Sequence, residues 1–246
     1  LRVVFSKQSI SRFDIAVTVD DSIGDHDIAT LASRGASWIE FRVDRCRRTA
    51  KTAVLKTASR LRRAGLPLIA TVRAHAEGGA LAISDETRGR LYRSLIPRVD
   101  CIDVELSSKK LLEELVPIAE NSRKNVIVSH HDFEATPPAS KLERIFKDAV
   151  RAGADRVKVA ALAENDRDML RLLEFCLRHR KHRVIVIAMG GGSVLSRLFF
   201  PLAGSTLTYS CLDRPAAPGQ LPLSKTRRLL DSISRAAGEA GAFRNA

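Results

Sequence analysis

Two periods of apolar and polar residues alternate along the chain. Short apolar runs at Asp14 to Val19, Trp38 to Val43, Leu68 to Val72, Cys101 to Glu105, Val126 to Ser129, Arg156 to Ala160, Val184 to Ala188 and Leu207 to Tyr209 each predict a strand. Amphipathic stretches lie between them. In Lys141 to Arg151, for example, Leu142, Ile145, Phe146, Ala149 and Val150 recur at helical spacing. A last helix is expected from Ser224 to about Glu239, with Ser224 as its N-cap. Eight strand-helix units in about 230 residues match the count and size of a (β/α)8 TIM barrel. A doubly wound α/β sheet is the alternative, but no G-x-G-x-x-G follows the first strand, which weakens its dinucleotide-binding version. No Pro/Gly-rich linker divides the chain. The expectation is one barrel domain over residues 1–246, with a short N-terminal extension before the first strand.

Residue parity within the strands points to an interior. Ile39, Phe41 and Val43 share one face and leave Glu40, Arg42 and Asp44 on the other. Val72 opposes Arg73, Ile102 and Val104 oppose Asp103 and Glu105, and Val126 and Val128 oppose Ser129 and His131. Val157 and Val159 oppose Lys158. In a barrel the apolar parity packs against the outer helices, so the polar parity points inward. It gathers toward the C-terminal strand ends, where barrel active sites lie. Strands covered by helices have no solvated face, so these charges are not a surface stripe.

Lys158 is the most informative of them, because it interrupts the apolar run Val157-Lys158-Val159-Ala160-Ala161. Burial disfavours an ammonium, so a lysine amine so placed can serve as a nucleophile toward a ketone. The competing account is a lysine paired with a core carboxylate or snorkelling from a strand end. An iminium on Lys158 would acidify the adjacent C–H, and His131, just past the neighbouring fifth strand, suits the base that takes the proton. His130 has the opposite parity. His26, His75, His179 and His182 fall in loops or at helix ends and are expected at the surface. Arg42, Arg73 and Arg197 supply positive charge for a carboxylate and would also disfavour a charged Lys158; Glu40, Asp103 and Glu105 offset part of it. Gly190 to Gly192, leading into Ser193 and a helix, form a turn able to offer N–H groups to an anion.

Composition narrows the remaining classes. The net charge of +13 raises the question of nucleic acid, but the basic residues are dispersed and only 5% of residues are aromatic. No nucleic-acid partner is expected. No apolar stretch is long enough to cross a bilayer, and the first residues lack the order of a signal peptide, so a soluble cytoplasmic protein without a membrane partner is expected. Cys46, Cys101, Cys176 and Cys211 are scattered, form no C-x-x-C pair and read as reduced thiols, with no metal site.

These motifs resemble, in order and spacing, the type I 3-dehydroquinate dehydratases over nearly the whole chain. Glu40-Phe41-Arg42-Val43-Asp44 is similar to that family's E-[WF]-R-x-D strand, and Arg73 with Glu77-Gly78-Gly79 to its R-x-x-x-E-G-G turn. His131-Asp132-Phe133 with Thr136-Pro137 is similar to H-D-F-x-x-T-P, and Lys158-Val159-Ala160 to its lysine strand. Met189-Gly190, Ser196-Arg197 and Ala217-Pro218-Gly219-Gln220 complete the series. The resemblance implies dehydration of 3-dehydroquinate to 3-dehydroshikimate in the shikimate pathway of aromatic amino-acid biosynthesis, through a Schiff base. Lys158 would carry the imine, His131 would be the acid/base and Glu77 would orient it. Glu40, Arg42, Arg73, Arg197 and Gln220 would hold the substrate, with Met189 and Tyr209 lining the pocket. The resemblance implies no cofactor and no metal, and allows a homodimer. Ala216 stands where many members carry serine, which removes one hydroxyl donor from the expected substrate-closing loop.

Two other activities fit parts of the pattern. A class I aldolase would use the same lysine but needs a phosphate site. A non-catalytic barrel would have no use for both Lys158 and His131.

Overall fold

A computed structural model describes residues 13–212, 215 and 219–239. The N-terminal extension and Ala216 to Pro218 lie outside them. Strands β1 (Ile15–Val19), β2 (Trp38–Arg42), β3 (Leu68–Thr71), β4 (Cys101–Glu105), β5 (Asn125–Asp132), β6 (Arg156–Leu162), β7 (Val184–Met189) and β8 (Thr208–Ser210) form one parallel sheet in the order β7-β6-β5-β4-β3-β2-β1-β8. Thr206 donates its N–H to the Val184 carbonyl at 2.8 Å, and Val186 donates to Ser205 Oγ at 3.1 Å, which brings the approach to β8 onto β7 and closes the barrel. The helices are α1 (Asp25–Thr30), α2 (Lys51–Leu61), α3 (Asp85–Leu95), α4 (Lys109–Asn121), α5 (Ala139–Arg151), α6 (Asp166–His179), α7 (Ser193–Ala203) and α8 (Leu223–Glu239). Each follows its strand, as the two periods of the sequence require.

All eight expected strands are present, and the differences are at their ends. β5 and β6 run three and two residues beyond the apolar stretches that announced them, to Asp132 and Leu162. Their ladder continues through His130↔Val159, His131↔Ala160 and Asp132↔Ala161, so backbone pairing carries polar residues that apolar patterning does not register. Ser224 is the second residue of α8, which begins at Leu223, and so is not its cap. α5 begins at Ala139, two residues before the apolar spacing shows it, with Pro138 preceding the helix.

The barrel interior is layered. Trp38, Ile69, Cys101 and Ile127 form an apolar floor with Ala16, Leu207 and Tyr209. Two residues further along the same inward faces stand Glu40, Thr71, Asp103 and Ser129, with Lys158 paired to Ser129 across β5 and β6. The inward parity is therefore polar chiefly in its upper half, with buried Arg156, level with Ile127, and Asn125 as exceptions below, and on β7 it stays apolar throughout, with Ile185, Ile187 and Met189. The opposite parity packs against the helices in the main core.

Candidate active site

The polar layer opens into a cavity of about 140 Å³ at the C-terminal strand ends. Lys158 projects into it from β6, with only 5% of its surface exposed. Its Nζ lies 2.9 Å from Asp103 Oδ2 and 3.9 Å from Glu40 Oε1, and 4.4 Å from the centre of the Tyr209 ring. The lysine is thus both a paired core residue and a cavity residue. The arginines do not leave it isolated among positive charges, because carboxylates neutralise them within the same layer.

Asp103 is the centre of that neutralisation. Its other oxygen meets Arg73 Nη2 at 3.0 Å and accepts from Ser129 Oγ at 2.6 Å. Burial alone would raise its pKa, but Arg73 and Lys158 outweigh it and hold the carboxyl far below the usual range. Arg73, which follows β3, also donates through Nη1 to Glu105 Oε1 at 2.8 Å and to Ser129 Oγ at 2.7 Å. Arg88 on α3 takes the other Glu105 oxygen and donates to the Val72 carbonyl at 2.8 Å and Ser108 Oγ at 2.9 Å. Tyr92 pins the same two strands, accepting from the Val72 N–H at 2.9 Å and donating to the Asp103 carbonyl at 2.5 Å. One buried network therefore fixes where Arg73 and Asp103 stand.

His131 lies two residues beyond the level of Lys158 on adjacent β5, about 6–7 Å further along the strand direction. Burial depresses its pKa well below 6.5, and nearby Arg73 and Lys158 push it further down, so the ring is neutral. Glu77 binds it twice, with Oε2 3.0 Å from Nδ1 and accepting the His131 backbone N–H at 2.9 Å. The Nδ1 contact places the proton there and leaves the lone pair on Nε2. Ser107 donates to the second Glu77 oxygen at 2.5 Å. Burial nevertheless raises the Glu77 pKa.

Local backbone explains how Glu77 arrives. The turn after β3 passes through Gly78 at φ +84°, where a side chain would be strained and would also meet the Phe133 ring. At Gly79 a Cβ would stand 2.3 Å from the Arg73 carbonyl oxygen. The paired glycines let the turn fold back on Arg73 while Glu77 reaches His131.

The remaining expected residues converge on the same cavity. Glu40 accepts from Thr18 at 2.8 Å and Thr71 at 3.1 Å, and Gln220 donates to Thr18 Oγ1 at 3.3 Å. Arg42 forms a two-pronged pair with Asp44 at 2.9 and 2.7 Å, and Asp44 also accepts the backbone N–H groups of Arg73 and Ala80. Arg197 reaches the cavity from α7; burial lowers its pKa to about 10, and it stays cationic near neutral pH. Met189 and Tyr209 line the wall.

Several contributors lie outside the expected set. Asp103, expected only to offset positive charge, is central to the site, and its inward parity is the signal for it. Arg88 carried no signal, since a basic residue on an amphipathic helix reads as surface. Ser107 also had none. His179 is a correction: it is 7% exposed, stacks on Phe146 with centroids 3.8 Å apart, and contacts both Glu143 oxygens at 3.1 Å. Its position at the end of α6 hid a packing role beneath the barrel. The four cysteines are buried and form no disulfide, and burial pushes Cys46 and Cys176 up to about 12, so neither offers a thiolate near neutral pH. Among the described residues no His, Cys, Asp and Glu cluster has a metal-binding arrangement, and no helix is long and apolar enough to cross a membrane.

Known proteins share both the sequence and the architecture. The sequence model of type I 3-dehydroquinase matches residues 15–237. The 3-dehydroquinate dehydratase of Aquifex aeolicus is 34% identical over 222 residues, covering 90% of this chain and 99% of its own. That of Methanosarcina barkeri is 34% identical over 232 residues, covering 89% and 93%. The Aquifex aeolicus crystal structure superposes with a TM-score of 0.81 at 33% identity, over 91% of this chain and all of that one. The type I enzyme of Clostridium difficile, solved with covalently modified comenic acid, gives 0.84 at 28% identity over 92% and 93%.

Proposed function

The chain belongs to the type I 3-dehydroquinase family, hydro-lyases, and we propose that it dehydrates 3-dehydroquinate through an imine on Lys158 with His131 moving the protons. One observation carries this reading: a lysine amine and a neutral, carboxylate-oriented histidine face one small cavity from neighbouring strands. The covalently modified comenic acid in the Clostridium difficile relative supports covalent chemistry in the family.

His131 takes a proton from the Lys158 ammonium, and the freed amine attacks the substrate ketone at C3. The same proton returns to the carbinolamine oxygen, and a second, taken by His131 from the nitrogen, follows it, so that the oxygen leaves as water when the iminium forms. The iminium draws electrons from the adjacent C2–H bond, and His131 Nε2 removes that proton to give an enamine. The enamine then expels the C1 hydroxyl, which takes the proton from His131 and departs as water. Hydrolysis of the iminium frees 3-dehydroshikimate and restores the amine. Asp103 is too weak a base for these transfers. It holds the ammonium in place until the proton leaves, while Glu77 keeps the Nε2 lone pair aimed at the cavity.

Arg197 and Gln220 would take the substrate carboxylate, and Glu40, Arg42 and Arg73 its hydroxyl side. We read Arg73 as acting chiefly through the carboxylates it binds, since both its terminal nitrogens are engaged. A carboxylate site, where an aldolase needs a phosphate site, separates the two imine chemistries.

In the same reading the enzyme is cytoplasmic and needs no cofactor, nucleic acid or membrane. Ion pairs such as Arg60 and Arg63 with Asp25, Arg62 with Asp100 and Arg90 with Glu86 break up the basic surface. Sedimentation decides whether it is a homodimer. The test of the chemistry is borohydride reduction during turnover of 3-dehydroquinate, followed by peptide mass spectrometry. The expected product is an adduct on Lys158 that is absent from Lys158→Ala. An unmodified Lys158 under turnover conditions overturns the mechanism.

A further inference from the structure

Tyr209 is buried to 3% exposure on β8 and lines the cavity, yet its hydroxyl has no hydrogen-bond partner. The aromatic ring is accounted for, because it lies 4.4 Å from the Lys158 amine and joins the apolar floor. The hydroxyl is not. An unsatisfied buried hydroxyl costs free energy that a phenylalanine of the same shape would avoid. The other fully buried tyrosine hydroxyl, that of Tyr92, is satisfied: it accepts from the Val72 N–H and donates to the Asp103 carbonyl.

Resting on the dehydratase reading above, we propose that the Tyr209 hydroxyl is a substrate-binding group that donates a hydrogen bond to the C4 hydroxyl oxygen of the bound cyclic keto acid. The position follows from the chemistry at Lys158. Imine formation fixes C3 at the lysine nitrogen, and the Tyr209 ring stands beside that nitrogen. C4 is the neighbour of C3 on the side away from the reacting C2, and it carries a hydroxyl. Burial, with the Glu40 and Asp103 carboxylates nearby, keeps the phenol protonated, so it offers a donor throughout the cycle. Its contribution is to set which face and rotation of the substrate ring meets His131.

The test compares wild type and Tyr209→Phe on 3-dehydroquinate and on its 4-deoxy analogue. The variant retains the ring beside Lys158 and removes an unpaired buried polar atom, so its melting temperature should equal or exceed that of wild type. With 3-dehydroquinate, kcat/KM should fall about 5–10-fold, the loss of one neutral hydrogen bond. With the 4-deoxy analogue the two enzymes should match, while borohydride still traps Lys158 in both. An equal penalty on both substrates, or no penalty on either, overturns the assignment of this hydroxyl while leaving the dehydratase reading intact. Absence of turnover by wild type overturns both.

Discussion

Lys158 Nζ and Asp103 Oδ2 stand 2.9 Å apart, and the other oxygen of the same carboxylate holds Arg73 at 3.0 Å. One anion thus supports two buried cations from different strands. Asp103→Asn should destabilise the barrel by about 3–5 kcal/mol, the cost of leaving buried charge unpaired. Urea denaturation measures it, and a loss below about 1 kcal/mol would mean that Glu40 and Glu105 compensate fully. Arg73→Met in the same background should recover part of the loss, because it removes one of the orphaned cations.

His131 makes stability depend on pH in a defined direction. Its folded-state pKa lies below the unfolded value of 6.5, so the unfolded chain binds a proton that the folded chain does not. The stability it permits is complete above pH 6.5 and declines as pH falls from there toward the depressed value, by up to about 1.4 kcal/mol per pH unit. His131→Asn should remove this component, so the difference in stability between variant and wild type should shift in the variant's favour below pH 6.5. A constant difference from pH 7 to pH 5 would contradict the depressed pKa.

In catalysis the same residue should separate imine formation from turnover. His131→Ala should still be trapped by borohydride on Lys158, more slowly, while steady-state dehydration falls about 10²–10⁴-fold. Near wild-type dehydration would remove His131 from the acid/base role.

Glu77→Gln keeps the shape but not the charge of the group that orients His131. An amide at Oε2 can bind Nδ1 without fixing its proton, so kcat should fall about 10²-fold with KM little changed. An effect confined to KM would instead place Glu77 on the substrate.

Gly79→Ala tests the fold-back of the turn. Its Cβ would meet the Arg73 carbonyl oxygen at 2.3 Å, a backbone atom that cannot rotate away. A loss of about 1–3 kcal/mol is expected in thermal or denaturant melts, together with weaker coupling of Glu77 to His131. Wild-type stability would show that the turn has room to move.

The chain itself announced much of this. Eight apolar runs separated by amphipathic stretches specify eight strand-helix units, because local side-chain periodicity and backbone geometry are coupled. Strand parity placed Glu40, Asp103, Ser129, His131 and Lys158 on inward faces for the same reason, and all five are there. Parity did not show that the inward faces are mainly apolar below, Arg156 and Asn125 excepted, and mainly polar above, since that depends on how strands are staggered around the barrel.

What only the tertiary structure decided is which charges meet. Arg88 and Ser107 are unremarkable along the chain, yet they complete the Glu105 and Glu77 carboxylates from elements 17 and 30 residues away. His179 passes for a surface residue until α5 supplies Glu143 and Phe146. Sequence determines the face a side chain occupies, because that is fixed within a few residues. Pairing between buried ions is a long-range outcome, set by closure of the barrel, and closure is what turned Lys158 from a lysine in an apolar strand into an amine held by Asp103 beneath His131.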